Sequence, residues 1–209
     1  MRGRKLRYEI HVQGDDLVTR PMKHRVREAI FDLVGTEVAS MHAIDLFAGT
    51  GALGLEALSR GAAHATFVER HHPTARALAA NIAALDVEPR TTLQATSAFL
   101  WARRDAIALA TANRNQAPSR TPAPPSPFPL PASPWLVFIS PPYDFYADRC
   151  DEMLDLVARM MNAAPPESIL IVEADDRFDM TTLPTVGETA KVAWDVRPYL
   201  PAVVAVGRL

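Results

Sequence analysis

The sequence predicts an α/β protein built on a mostly parallel sheet of seven strands that closes with a C-terminal antiparallel hairpin. Three observations predict it. Between residues 42 and 100, short apolar runs alternate with helical patterns, the order expected of βαβ units. A glycine-rich turn, Gly49-Thr50-Gly51-Ala52-Leu53-Gly54, joins the first of those runs to a helix. Two later β-rich runs, 189–196 and 202–207, follow one another with no helix between them, the pattern of a hairpin at a sheet edge.

Taken in order, the chain opens on a basic segment. Residues 1–27 hold eight Lys/Arg against three Asp/Glu, a local charge of +5 that leaves −7 on the rest of a chain whose net charge is −2. Leu6, Tyr8, Ile10 and Val12 alternate as in a strand. Pro21 then suits the first turn of a helix. Val26, Ala29, Ile30, Leu33 and Val34 form an apolar stripe at helical spacing, with Arg20, Lys23, Arg25 and Arg27 off it, and Gly35 stops the helix. A strand at 42–47 leads to a helix at 52–60, ended by Gly61. Strand 64–69 leads to the alanine-rich helix 73–85, and strand 91–95 to helix 97–110. Eight prolines between 118 and 134 break the rhythm, so 113–134 reads as an extended surface insertion. Strand 135–139, helix 147–162 with a core stripe of Met153, Leu154, Leu156, Val157, Met160 and Met161, and strand 168–173 complete the parallel part. This divides the chain into a basic strand/helix extension, 1–35, and an α/β domain, 36–209.

Composition bounds the function. The 209 residues suit one globular domain, and 48% hydrophobic residues are ample for its core. The one cysteine, Cys150, excludes a disulfide framework and suits a reducing cytoplasm. No signal peptide or membrane-length apolar run is apparent. The basic N-terminal segment on an acidic body suggests a nucleic-acid footprint at one edge.

In parallel sheets ligands bind beyond the carboxyl ends of the strands. Here those ends carry Asp45, Glu69 and Ser140, so the sequence predicts one cleft lined by all three. The glycines allow a tight turn, close approach to a ligand and packing of the helix onto the strand. Glu69 stands about 20 residues beyond the glycines, where a nucleotide-binding half-domain grips ribose hydroxyls. A pyrophosphate would be repelled by Asp45 ahead of the turn, whereas a sulfonium with a free amino group would be attracted. That favours S-adenosylmethionine over a nicotinamide dinucleotide. Ser140-Pro141-Pro142-Tyr143 forms a rigid loop, with an acceptor ahead of two prolines and an aromatic behind them. It suits a planar ring bearing an exocyclic amine, the amine held by Ser140 and the Pro141 carbonyl, the base stacked on Tyr143.

These residues resemble the RsmD family, the 16S ribosomal RNA guanine-N2 methyltransferases. The resemblance rests on Arg2-Gly3-Arg4-Lys5-Leu6, Thr19-Arg20-Pro21, Arg25-Val26-Arg27-Glu28-Ala29-Ile30-Phe31, and the run from Asp45 through Gly61. It implies a Rossmann-like S-adenosylmethionine-dependent methyltransferase fold. It also implies a cofactor site of Asp45, Phe47, Ala48, Gly49, Gly51, Glu69 and Thr96, and a guanine site of Ser140, Pro141, Pro142 and Tyr143. Arg4, Lys5, Arg20, Arg25 and Arg27 would meet RNA, with ribosomal RNA or a small-subunit assembly intermediate as partner. No metal and no membrane are expected, and a cytoplasmic monomer is.

The chain departs from the family's pattern at four places. Ser140 stands where the family's loop begins with Asp, and His24 where it has an acid. Ala95-Thr96 falls where a polar residue meets the adenine, and the family commonly has a further strand upstream of Met1. A hydroxyl is a weaker acceptor than a carboxylate. Ser-Pro-Pro-Tyr also occurs in cytosine amino-methyltransferases. Two alternatives therefore stand: an N4-cytosine or N6-adenine DNA methyltransferase, and an RNA-binding assembly factor with impaired chemistry.

Overall fold

The computed structural model describes residues 20–106, 133–185 and 191–209, with the side chains of 20–23 and 105–106 left out. The expected strand at 6–12, Arg4, Lys5 and most of the 113–134 insertion lie outside the described residues.

One seven-stranded sheet carries the architecture. Its strands are β1 (His42–Asp45), β2 (His64–Val68), β3 (Thr91–Gln94), β4 (Trp135–Ile139), β5 (Ile169–Asp175), β6 (Trp194–Tyr199) and β7 (Ala202–Arg208). Their spatial order is β3-β2-β1-β4-β5-β7-β6. The first five are parallel, while β7 runs antiparallel to both β5 and β6. The seven strands and the edge hairpin expected from the sequence are both present. The order reverses between β1 and β4, which leaves a crevice beyond their carboxyl ends.

β1, β4 and β5 are buried along their whole length, as expected of strands covered on both faces. One face is covered by α1 (Arg20–Val34), α2 (Ala52–Ser59) and α3 (His72–Ala84). The other is covered by α4 (Ala98–Trp101), α5 (Asp144–Asp148) and α6 (Cys150–Ala163). In α1 the buried stripe is Val26, Ile30, Phe31 and Val34, with Ala29 and Leu33 half-buried. The stripe thus turns further toward Phe31 than the spacing predicted, because Phe31 packs against Phe138 of β4 at 5.7 Å between ring centroids. The methionines of α6 are core, as expected.

Three element boundaries differ from expectation. The helix predicted over 147–162 is two helices, broken at Arg149, whose φ/ψ of −140°/38° is not helical. Of the helix predicted over 97–110, the described residues form an α-turn, Ala98–Trp101, followed by a π-helical turn, Ala102–Ala106, and 107–110 lie outside the described residues. The edge strand lies at 194–199 rather than 189–196 and includes Pro198. An edge strand tolerates proline because one of its sides has no ladder partner. Among the described residues no helix is long and apolar enough to cross a membrane.

Candidate active site

The site is assembled where β1, β2, β4 and β5 end. β1 leaves the sheet at Asp45, and the turn after it is held by neighbouring strands. Leu46 N–H donates to Phe138 of β4 at 3.1 Å, and Ala48 N–H to Val68 of β2 at 3.1 Å. Gly51 closes the turn at φ +91°, a backbone conformation in which a Cβ would also lie 2.3 Å from Leu78. At Gly49, by contrast, a Cβ would meet nothing within 4 Å, so this stretch of backbone faces open space. Gly54 does the third task expected of these glycines. A Cβ there would lie 2.3 Å from the ring of Phe67, so α2 sits directly on β2.

Asp45 is 2% exposed. Its Oδ2 accepts from Gly54 N–H at 3.2 Å and so braces the start of α2. Its Oδ1 is buried with no hydrogen-bond partner. Burial pushes this carboxyl up to about 7, the Gly54 and Phe47 amides pull it back, and the charges of Glu69 and Glu173 push it further up. An unpaired buried carboxylate oxygen is costly unless something completes it. A ligand ammonium is the group that would.

Glu69 is half-buried at the tip of β2. Its Oε2 accepts from Gly49 N–H at 2.9 Å and its Oε1 from His71 N–H at 2.7 Å. The carboxylate therefore holds the glycine turn in place, with lone pairs left for a second donor. Thr96, half-buried beyond β3, turns back so that its N–H meets the Gln94 carbonyl at 2.9 Å. Phe47 is half-buried and meets Phe99 and Phe145 edge-on, at 6.1 and 5.9 Å. The Arg149 guanidinium lies 4.2 Å over Phe99, and Arg70 lies 5.6 Å from Phe145.

The Pro-Pro loop sits at the tip of β4. Pro141 is buried, Pro142 exposed, and Ser140 and Tyr143 half-buried. Both hydroxyls are committed to one residue. Ser140 Oγ donates to Glu173 Oε2 at 2.5 Å, and Tyr143 Oη donates to Glu173 Oε1 at 2.9 Å. Glu173 is 8% exposed and lies on β5, where the pairing of Ile139 with Val172 sets it beside Ser140. Burial, followed by the nearby Glu173 charge, raises the Tyr143 hydroxyl well above the ordinary tyrosine range.

Asp45, Phe47, Ala48, Gly49, Gly51, Glu69, Ser140, Pro141 and Tyr143 are thus gathered at one edge of the sheet, and Glu173 joins them. The sequence reading did not include Glu173, Phe99, Phe145 or Arg149. Glu173 had a signal: like Asp45 and Glu69, it is an acid near the end of an apolar strand run. The aromatic pair had none, because helix packing alone brings positions 99 and 145 together. Of the expected RNA-facing residues, Arg25 is exposed and Arg27 half-buried on α1; Arg20 belongs to the same helix, its side chain outside the described set.

Known proteins share the family and the fold of this chain. The model of the family described as Conserved hypothetical protein 95 matches residues 1–111. Ribosomal RNA small subunit methyltransferase D of Escherichia coli K12 is 43% identical over 84 residues, 40% of this chain and 40% of the relative. The match spans less than half the length of the curated relatives. Among solved structures, a conserved hypothetical protein of Streptococcus pyogenes is 25% identical at a TM-score of 0.60, covering 88% of this chain and 95% of its own. An RNA methyltransferase from Salinibacter ruber in complex with S-adenosyl-L-homocysteine shares the fold at a TM-score of 0.52 and 12% identity, covering 87% and 88%. With a glycine turn, acidic strand tips and a family match over more than half its length, the chain belongs to the RsmD family and has the fold of S-adenosylmethionine-dependent methyltransferases.

Proposed function

We propose that this protein is an S-adenosylmethionine-dependent methyltransferase that modifies the exocyclic N2 amine of a guanine in small-subunit (16S) ribosomal RNA. The observation that carries the reading is the orphaned, buried Oδ1 of Asp45 beside the open backbone at Gly49. Together they suit a ligand with an ammonium group and a polar body lying against the turn. The names of the curated relatives add ribosomal RNA and methyl transfer.

Asp45, Phe47, Ala48, Gly49, Gly51, Glu69 and Thr96 would hold the cofactor, whose sulfonium supplies an electrophilic methyl group. Ser140 and the Pro141 carbonyl accept hydrogen bonds from the target amine. Accepting from both N–H groups orients the nitrogen lone pair away from the loop. Tyr143, its hydroxyl anchored to Glu173, presents a fixed ring for an unstacked base. Catalysis is mostly positioning, with no metal and no covalent enzyme intermediate. The basic segment 1–35, with Arg4, Lys5, Arg20, Arg25 and Arg27, supplies the RNA-facing edge of a cytoplasmic monomer, and 36–209 is the catalytic domain.

The test is nucleoside mass spectrometry of 16S ribosomal RNA from a deletion strain. One N2-methylguanosine disappears and returns with the wild-type gene. An unchanged nucleoside profile overturns the reading. Ser140 favours one second reading, methylation of a cytosine or adenine amine, for which a different methylated base would be missing.

A further inference from the structure

A serine hydroxyl can donate or accept, and only an accepting hydroxyl helps a target amine. At Ser140 the ambiguity is removed. Its proton is directed at Glu173 Oε2 at 2.5 Å, so its lone pairs are what remain for a ligand. A hydroxyl that donates to a carboxylate is also the better acceptor, because bonds in a chain polarise one another. Glu173 itself is 8% exposed and accepts from both Ser140 and Tyr143. Its charge is felt at Asp45, the other wall of the crevice. Among the described residues no lysine or arginine side chain pairs with it.

We propose that Glu173 is the positioning residue and proton sink for amine methylation, acting through the Ser140 hydroxyl. The proposal rests on the methyltransferase reading above. As the nitrogen–carbon bond forms and the donor's carbon–sulfur bond breaks, the sulfur keeps the electron pair and the nitrogen holds one proton too many. That proton passes to Ser140 Oγ while the serine's own proton passes to Glu173. The carboxylic acid then loses it to water, which restores the site. The serine loop thereby gains the use of a carboxylate held one strand away. This is why the change at position 140 leaves a working acceptor.

The experiment is a double-mutant cycle on the full chain, with methyl transfer to small-subunit RNA as readout. Glu173→Gln and Ser140→Ala each lower kcat by about 100-fold, the scale of general acid–base catalysis. The KM for S-adenosylmethionine stays within about threefold. The double variant is no more than about threefold worse than either single one, because the two act as a unit. Ser140→Asp in the Glu173→Gln background, which sets a carboxylate at the amine directly, restores at least about tenfold. Should Glu173→Gln not fold, Glu173→Met replaces it, with an apolar chain of like length in the buried position. Losses that multiply, or a Glu173→Gln enzyme with wild-type kcat, overturn the inference while leaving the methyltransferase reading intact. A wild-type protein that transfers no methyl group to any base sinks both.

Discussion

Asp45 combines two roles that pull against each other. One oxygen braces α2 through Gly54, and the other is buried without a partner. With its carboxyl pushed up to about 7, mainly by burial, this group in the free protein passes from protonated to ionised across neutral pH. A ligand ammonium would favour the ionised form, so binding and deprotonation are coupled. Affinity for S-adenosylhomocysteine, measured by calorimetry, should be about tenfold tighter at pH 8 than at pH 6. Asp45→Asn should bind more weakly and lose that dependence. Equal affinities at the two pH values would mean that Asp45 does not face the amino group. Ser140, which looks like a loss of charge from the sequence, is adjoined by Glu173 in space.

At the scale of elements, the glycine turn is three separate constraints rather than one flexible loop. Gly49 needs its positive φ of +53° in open space, Gly51 combines a φ of +91° with close approach to Leu78, and Gly54 lets α2 touch β2. The third is the most exacting, because Phe67 is fully buried and cannot swing away. Gly54→Ala should therefore destabilise the protein by about 1–3 kcal/mol in urea unfolding, the usual cost of an overpacked core. It should also displace the amide that Asp45 accepts, so ligand affinity falls with stability. A variant of wild-type stability would show that α2 can lift off the sheet. α1 is bound by different means. Its apolar stripe joins the same core as β7, and Arg208 of β7 donates to the Leu33 carbonyl at 3.1 Å and to Glu37 just beyond the helix at 2.7 Å. The helix that carries Arg25 and Arg27 is thus tied to the sheet.

Across the whole molecule, the two ends of β1 respond to pH in opposite senses. At its start, burial, assisted by the His64 charge, lowers His42 to about 3, and its Nε2 pairs with Thr66 Oγ1 at 2.8 Å. A folded pKa below the unfolded 6.5 gives stability that is present above 6.5 and lost as pH falls toward 3. Asp45, with its folded value above the ordinary 3.8, does the reverse: its contribution is full below 3.8 and lost as pH rises through about 7. His64, also lowered by burial, adds to the histidine side. Between pH 7.5 and 4.5 each of the two larger contributions is worth about 3 kcal/mol, and they offset. His42→Gln, which keeps a donor for Thr66, should thus leave a protein that gains stability on acidification relative to wild type. Asp45→Asn should leave one that loses it. Urea unfolding at the two pH values checks both; parallel shifts in the two variants would refute the assignment.

The α/β class, the parallel sheet, the edge hairpin and the strand-tip acids at 45 and 69 were legible in the chain because they depend on local periodicity and on short-range turn chemistry. A strand's apolar run and the acid that ends it are neighbours in sequence, so pattern reveals both. The break at Arg149, the place of Pro198 in the edge strand and the turn of α1 toward Phe31 depended on partners far along the chain, and only packing decided them. The same holds for the acceptor at Ser140. Residues 140 and 173 lie 33 apart, joined by the β4–β5 register alone, and their hydroxyl–carboxylate contact exists only once the sheet has formed.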